Sequence, residues 1–278
     1  MLTKSQLRDI FSQYHFTPLK RFGENYLIDA NIKDKIIGQM HIGKNDTVLE
    51  IGPGFGALTF DLAASAAKVF AVEKDKKAYE ILKEICGDKY DKLEIINKDI
   101  LKFEIKKLRS GKKIKVAGNL PYYVTTPIIE YLIENRTSIG SALIVIQREV
   151  ADRLLASPGS KDYSSLSCFV QYHTKPCYLH TISRRSFYPE PEVDSSLLRL
   201  DFLEKPSVKV CDEKLFFKIV RGAFNQRRKT IMNSLSRAEV LDLEKEKLAG
   251  IFRKAGVDPS SRPEDLGLEA FASLTNAF

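Results

Sequence analysis

Asp46-Thr47-Val48-Leu49-Glu50-Ile51-Gly52-Pro53-Gly54-Phe55-Gly56 is the stretch that decides the fold. Residues 46–51 are a short apolar run that stops at glycine, the pattern of a strand buried in a parallel sheet. The glycines let the backbone turn tightly and approach a ligand closely. A helical pattern over 56–67 follows, so strand, loop and helix open an α/β unit. Outward from it, 68–73 (KVFAVE), 93–97, 114–118 and 141–147 read as strands. Residues 75–86, 127–134 and 148–155 read as helices, with Pro127 suited to a first turn. Segments 176–183 and 195–203 fit two closing strands, antiparallel pairing being open for the last. Repeated units of this length predict an α/β fold: a doubly wound, mostly parallel sheet with helices on both faces. Past Pro206 the patterns are helical only, over 213–224, 229–235, 243–254 and 268–275. The expected division is 1–206, an α/β cofactor-binding domain, and 207–278, a smaller all-helical domain.

Composition narrows the function. A net charge of +8 favours an anionic partner, with RNA or DNA the plainest. The four cysteines (Cys86, Cys168, Cys177 and Cys211) lack CxxC spacing, so neither a zinc site nor a disulfide framework is implied. The four histidines have no metal-ligand spacing either, and no metal is expected. No apolar run approaches the ~20 residues of a membrane span, and the N-terminus has no signal-type apolar core. The expectation is a cytoplasmic protein.

The glycine loop alone leaves two cofactors open. Gly52, Gly54 and Ala57 satisfy a loose dinucleotide pattern, and Glu73, twenty-one residues after Gly52, suits a ribose diol under either reading. Three features separate them: the third glycine comes one residue early, the acidic Glu50 precedes the loop, and Asp99 follows the third strand where it can accept from an adenine amine. Together with the motif after the fourth strand they favour S-adenosylmethionine over a nicotinamide.

That motif is Asn119-Leu120-Pro121-Tyr122. An exocyclic amine such as adenine N6 has its lone pair delocalised into the ring and is a poor nucleophile. Two acceptors on its protons, the Asn119 side-chain oxygen and the Leu120 carbonyl, would draw the nitrogen toward a tetrahedral geometry. Pro121 biases Leu120 to an extended conformation that aims this carbonyl. Tyr122 offers a ring face for the base. The plain alternative, a polar turn after a strand, stands for the tetrapeptide in isolation.

At these residues the chain resembles the ribosomal RNA adenine N6-dimethyltransferase family, and within it the small-subunit branch. The similarity runs through 22–27 (FGENYL), 48–59 (VLEIGPGFGALT), 119–129 (NLPYYVTTPII) and 146–167, then 187–200 (FYPEPEVDSSLLRL) and 223–235 (AFNQRRKTIMNSL). Membership would imply a class I, Rossmann-like methyltransferase that dimethylates two adjacent adenosines near the 3′ end of small-subunit ribosomal RNA. It would place Asn25, Leu27, Gly52, Gly54, Glu73, Lys74, Asp99, Ile100 and Asn119 on S-adenosylmethionine. Asn119, Leu120, Tyr122 and Phe187 would hold the flipped adenine. Implied partners are small-subunit ribosomal RNA and the pre-assembled small subunit, met by a monomer. Glu24 and Tyr26 depart from the family's usual Gln and Phe, which makes Asn25 the firmer contact.

The basic residues show where RNA would bind. From Lys214 to Arg237 there are seven basic residues and no acidic one, among them Arg221, Arg227, Arg228 and Lys229. Phe216, Phe217 and Phe224 lie between them at helical spacing and read as core, leaving the charges as a phosphate-binding stripe. A second cluster (Lys106, Lys107, Arg109, Lys112, Lys113, Lys115) reads as near the catalytic face or as a solvated loop. Two competing classes remain: a non-catalytic RNA-binding assembly factor that keeps the fold, and a nicotinamide oxidoreductase.

Overall fold

The computed structural model describes residues 2–18, 25–87, 89–108, 111–226, 228–237 and 244–278. Residues 22–24, Arg109 and Arg227, named above, lie outside them. Cα packing divides the chain into two units, 1–151 with 177–202 and 152–176 with 203–278.

The first unit is built on a seven-stranded sheet. Its strands are β2 (Thr47–Ile51), β3 (Lys68–Glu73), β4 (Leu93–Asn97), β5 (Ile114–Asn119), β6 (Ile139–Gln147), β7 (Thr174–Ile182) and β9 (Ser195–Phe202), in the order β4-β3-β2-β5-β6-β9-β7. The pairs β2–β3, β3–β4, β2–β5 and β5–β6 are parallel, and β6–β9 is antiparallel. A short ribbon joins β1 (Tyr26–Leu27) to β8 (Phe187–Tyr188), with Leu27 opposite Phe187. The central strands are mostly apolar because helices cover both faces. Val48, Leu49, Val69, Val116 and Ile144 are all 0% exposed.

Strand order reverses between β2 and β5, and ligands bind outside the carboxyl ends of strands at such a point. Gly118 lets these strands approach: a Cβ there would sit 2.9 Å from the Ile51 carbonyl oxygen. Around the sheet lie α1 (Lys4–Gln13), α2 (Ala30–Gln39), α3 (Thr59–Ser65), α4 (Lys76–Cys86), α5 (Thr125–Glu134) and α6 (Arg148–Leu155). Asp29 and Asp75 cap α2 and α4, each accepting from backbone N–H groups in the first turn. Helix α3 begins three residues later than the pattern suggested. Gly54 and Gly56 take φ of +55° and +86°, which helix residues do not adopt. Helix α1 caps this region with an aromatic cluster in which the Phe55 ring lies 4.7 Å from Tyr26 and 5.2 Å from Phe16.

The second unit holds α7 (Ser165–His173), α8 (Glu213–Phe224), α9 (Ile231–Ser236), α10 (Lys245–Ala255) and α11 (Leu268–Ala277). The expected division at residue 206 differs from this arrangement. Tyr163, Cys168 and Tyr172 share one buried cluster with Phe216, Phe252 and Phe271, so the chain enters the helical unit early, returns for its last strands and leaves again. Helix α7 had no counterpart in the sequence reading, because Phe169, Val170 and Tyr172 are weak helix formers. Reciprocal Ser164–Ser167 capping and burial of Cys168, Val170 and Tyr172 fix it. No helix among the described residues is long and apolar enough to cross a membrane.

Gly118→Ala should destabilise the sheet unit by about 1–3 kcal/mol, the usual cost of forcing an extra methyl into a packed interior. Urea unfolding followed by circular dichroism reads it; a midpoint equal to the parent's would show that β2 and β5 can separate freely.

Candidate functional site

Each expected cofactor residue sits where a strand ends. The loop after β2 brings Gly52 and Gly54, β3 ends on Glu73, the turn after β4 brings Asp99 and Ile100, and β5 ends on Asn119. Together with Asn25 and Lys74 they line one cavity of about 370 Å³. That volume lies in the ordinary range for small-molecule sites. Tyr26, Lys98, Pro121, Tyr123 and Ile128 also line it. Tyr123 had a readable signal, since it doubles the Tyr of the Asn119 motif, yet sequence reasoning passed over it. Leu27 and Phe187 do not reach this cavity. They face a second one of about 40 Å³, beside Gly52, Glu50 and Asn119.

The glycine loop is shaped by its neighbours. The Gly54 N–H donates to Glu73 Oε2 at 3.1 Å. A Cβ on Gly54 would come within 2.8 Å of the Tyr26 ring, so β1 closes the loop from above. Glu73 Oε1 accepts from the Asp75 N–H at 2.9 Å. The Asn97 side chain donates to the carbonyls of Glu73 and Lys74 and so holds this turn. Asp99 accepts from the Leu101 N–H through Oδ1 and pairs through Oδ2 with Lys74 Nζ at 2.9 Å.

Two carboxyls are buried here, Glu50 at 3% and Glu73 at 9% exposure. Burial pushes Glu50 up to about 8, with the neighbouring Thr59 hydroxyl opposing the shift. Burial likewise pushes Glu73 up to about 7, against the N–H groups of Asp75 and Gly54. Among the described residues Glu50 Oε2 has no hydrogen-bond partner. A cavity with open glycine backbone and the Glu73 and Asp99 carboxyls on its wall fits a polar ligand that carries hydroxyl and amine groups, while the unpartnered Glu50 oxygen belongs to the smaller cavity beside it. No group of three or more His, Cys, Asp or Glu among the described residues could hold a metal ion.

Asn119 is fixed in orientation. Its side-chain Nδ2 donates to the Asn25 carbonyl at 2.7 Å, and only the NH₂ end can face a carbonyl, so Oδ1 is the end left to accept. Leu120 is 1% exposed, and its N–H donates to the Val145 carbonyl. The Pro121 carbonyl is taken by the Val124 N–H and by Thr125 Oγ1.

Both aromatic residues expected at the base lie away from the larger cavity. Tyr122 lines neither cavity; its hydroxyl lies 3.0 Å from Ser195 Oγ, on the β6–β9 side of Asn119. Phe187 is 3% exposed and faces a space with room for a few waters and not for a base, because its pairing in the β1–β8 ribbon buries it.

The basic clusters separate. Lys214, Lys218 and Arg221 are exposed on one face of α8, and Arg228 and Lys229 are exposed beyond it. Phe216 is fully buried, with Phe217 and Phe224 packed against the same core. Lys112, Lys113 and Lys115 sit at the amino end of β5. Lys115 is about 13 Å along the strand from Asn119, at ~3.3 Å per residue. It pairs with Asp46. Of this cluster, Lys112, Lys113 and Lys115 therefore lie away from Asn119, because adjacency in sequence spans opposite ends of one strand.

A family profile described as ribosomal RNA adenine dimethylase matches residues 16–276. The ribosomal RNA small subunit methyltransferase A of Bacillus cytotoxicus is 44% identical over 281 residues, covering 99% of this chain and 96% of that protein. A dimethyladenosine transferase from Plasmodium falciparum superposes with a TM-score of 0.78 at 27% identity, over 90% of this chain and 95% of that one. The 23S ribosomal RNA methyltransferase ErmE gives 0.70 at 25% identity, over 91% and 99%. The chain belongs to the ribosomal RNA adenine dimethylase family.

The buried carboxyls give a pH signature. With a folded value near 8 against an ordinary 4.5, Glu50 is protonated when folded and ionised when unfolded between those limits. Folding then takes up a proton, so stability falls as pH rises from about 5 to 8 and levels off above. Glu50→Gln, neutral at every pH, should flatten this slope and gain on the order of 1–3 kcal/mol at pH 8.5 relative to pH 5, less than full burial implies. Melting temperatures of both proteins across that range check it, and parallel curves would place an ionised Glu50 in the folded state.

Proposed function

We propose that this chain dimethylates N6 of two adjacent adenosines near the 3′ end of small-subunit ribosomal RNA. In this reading it acts as a cytoplasmic monomer on a pre-assembled small subunit. Its activity is S-adenosylmethionine-dependent adenosine dimethylation of small-subunit ribosomal RNA, the activity of the relatives it matches over nearly its full length. What the site supports in this reading is the N6 chemistry. The observation that carries it is the Asn119 amide, held by the Asn25 carbonyl so that Oδ1 must accept, at the end of β5 between the cofactor cavity and Tyr122.

Bound S-adenosylmethionine supplies a methyl group already activated on a sulfonium, so no general base is required for the attack. Glu73 would hold its ribose, Asp99 and Ile100 its adenine, and Asn25, Gly52, Gly54 and Lys74 the remainder. The chain's own part is positioning and differential hydrogen bonding. Asn119 Oδ1 and the Leu120 carbonyl accept from the amine of a base flipped out of its stack, and these bonds strengthen as the nitrogen becomes tetrahedral. The Pro121 carbonyl is tied into its own turn, which favours Leu120 as the second acceptor. Tyr122 supplies the ring face. Phe187 is assigned to the base only with its ring uncovered by movement of the β1–β8 ribbon.

The stripe of Lys214, Lys218, Arg221, Arg228 and Lys229 supports RNA binding by the helical unit. Arg227 belongs to the proposed stripe from sequence alone.

Asn119→Ala should lower single-turnover methyl transfer to an unmodified small subunit by about 10²–10³. RNA affinity should stay near the parent's. A rate within tenfold of the parent under saturating cofactor and RNA would remove Asn119 from the mechanism. Replacing Arg221, Arg228 and Lys229 with Ala should reduce the salt dependence of RNA binding by about two to three phosphate contacts. Cofactor affinity should be unchanged. An unaltered salt slope, measured by filter binding from low to moderate salt, would make this face a solvated one.

A further inference from the structure

A stacking platform works only if its plane is fixed, and a tyrosine ring on a loop has two torsions free to turn. Tyr122 belongs to a single 3₁₀ turn (Tyr122–Val124) between β5 and α5, and its side chain is only partly buried. Yet its hydroxyl meets one of the most enclosed polar atoms in the unit. Ser195 is 0% exposed, and its Oγ lies 3.0 Å from the Tyr122 oxygen.

The anchor is itself held from several directions. Ser195 opens β9 and pairs with Gln147 at the carboxyl end of β6. The residue before it, Asp194, accepts the Arg148 N–H on its carbonyl and the Arg184 N–H on Oδ1 at 2.9 Å. Burial and the nearby Asp194 charge both raise the Tyr122 phenol above its ordinary range, so it stays a neutral hydroxyl able to donate. Strand order adds the direction. Cofactor residues come from β2, β3 and β4, Asn119 ends β5, and Ser195 lies two strands further on.

We propose that Ser195 is a positioning residue for the target base: its hydroxyl locks the Tyr122 ring on the β6–β9 side of Asn119, setting the plane against which adenine stacks. The proposal rests on the adenine-methylating reading of the site. Ordering the ring before substrate arrives removes an entropic cost that would otherwise fall on the bound state. Ser195 does not touch the base or the cofactor, and its influence passes through Tyr122 alone.

The test is a double-mutant cycle on the full chain, with Ser195→Ala, Tyr122→Phe and the pair, read by single-turnover methyl transfer to unmodified small subunits at saturating cofactor. Each single change deletes the same hydrogen bond and should slow the reaction by about 3- to 10-fold. The pair should be no slower than either single, because one interaction cannot be lost twice. Dissociation constants for S-adenosylmethionine should match the parent's in all four proteins. Tyr122→Phe changes a partly exposed side chain, so the cycle keeps a well-folded arm if Ser195→Ala lowers the melting temperature. An active parent with rates unchanged in both singles overturns the anchoring and leaves the activity standing. Additive losses would also overturn it, by making Ser195 a structural residue of β9. A parent that transfers no methyl overturns the activity itself and the anchoring with it.

Discussion

The close approach of β2 and β5 is the constraint on which the site depends. Where strand order reverses, the carboxyl ends of two neighbouring strands open a crevice, and this chain puts its glycine loop on one side and Asn119 on the other. Any side chain at Gly118 would wedge the strands apart against the Ile51 carbonyl. The crevice is then closed from above by a segment distant in sequence. Asn25 reaches Asn119 across ninety-four residues, Tyr26 covers Gly54, and Leu27 pairs with Phe187. Phe11 of helix α1 packs onto Phe55 of the same loop. Removing the N-terminal cover would leave β5 intact while freeing the Asn119 amide to turn, so the orientation of one acceptor depends on tertiary packing as well as on its own strand.

The electrostatics of the crevice follow from this enclosure. Glu50 and Glu73 are both withdrawn from water, but their circumstances differ. Glu73 has two backbone N–H groups aimed at it, from Gly54 and Asp75, and these offset part of its desolvation. Glu50 has less compensation and the larger shift. An interior that tolerates such groups sacrifices stability for ligand chemistry, a trade concentrated at functional sites. The Lys74–Asp99 pair adds a gentler version: both residues line the cavity, Lys74 is largely exposed, and screening by solvent keeps the pair weak and easily opened.

The fold was legible because parallel strands announce themselves. KVFAVE, LEIIN and the run before Gly52 occur in the structure within a residue of the expected limits, and Glu73, Asp99 and Asn119 were readable because each lies at or just past the end of a strand. What escaped depends on pairing over long range. Nothing local to Tyr26 says that it will pack on Gly54, and nothing local to Ser195 says that it will meet a tyrosine seventy-three residues earlier. Lys112, Lys113 and Lys115 were misplaced because a strand carries its two termini to opposite ends of the sheet. The domain division was misjudged for a related reason: hydrophobic periodicity identifies an amphipathic helix but not the core it joins. Residues 152–176 join the helical unit through the burial of Tyr163, Cys168 and Tyr172, which pattern alone cannot assign.

Two methyl transfers to one nitrogen set a requirement that the fixed Asn119 amide meets in a particular way. An unmodified amine offers two protons, matched by Oδ1 and the Leu120 carbonyl. A monomethylated amine offers one, so one acceptor must go idle in the second round. A freely turning amide could present its NH₂ end instead and lose the contact, or misdirect the nitrogen. Here the Asn25 carbonyl forbids that turn, since reversing the amide would set two oxygens 2.7 Å apart. The Oδ1 acceptor is therefore the same in both rounds. The methyl already present must take the position of the proton that has gone, beside whichever acceptor falls idle. In the proposed reading the second step then depends on space beside that acceptor, and on the Leu120 side the Pro121 turn, tied back by Thr125 and the Val124 N–H, cannot relax to make room without giving up its own hydrogen bonds.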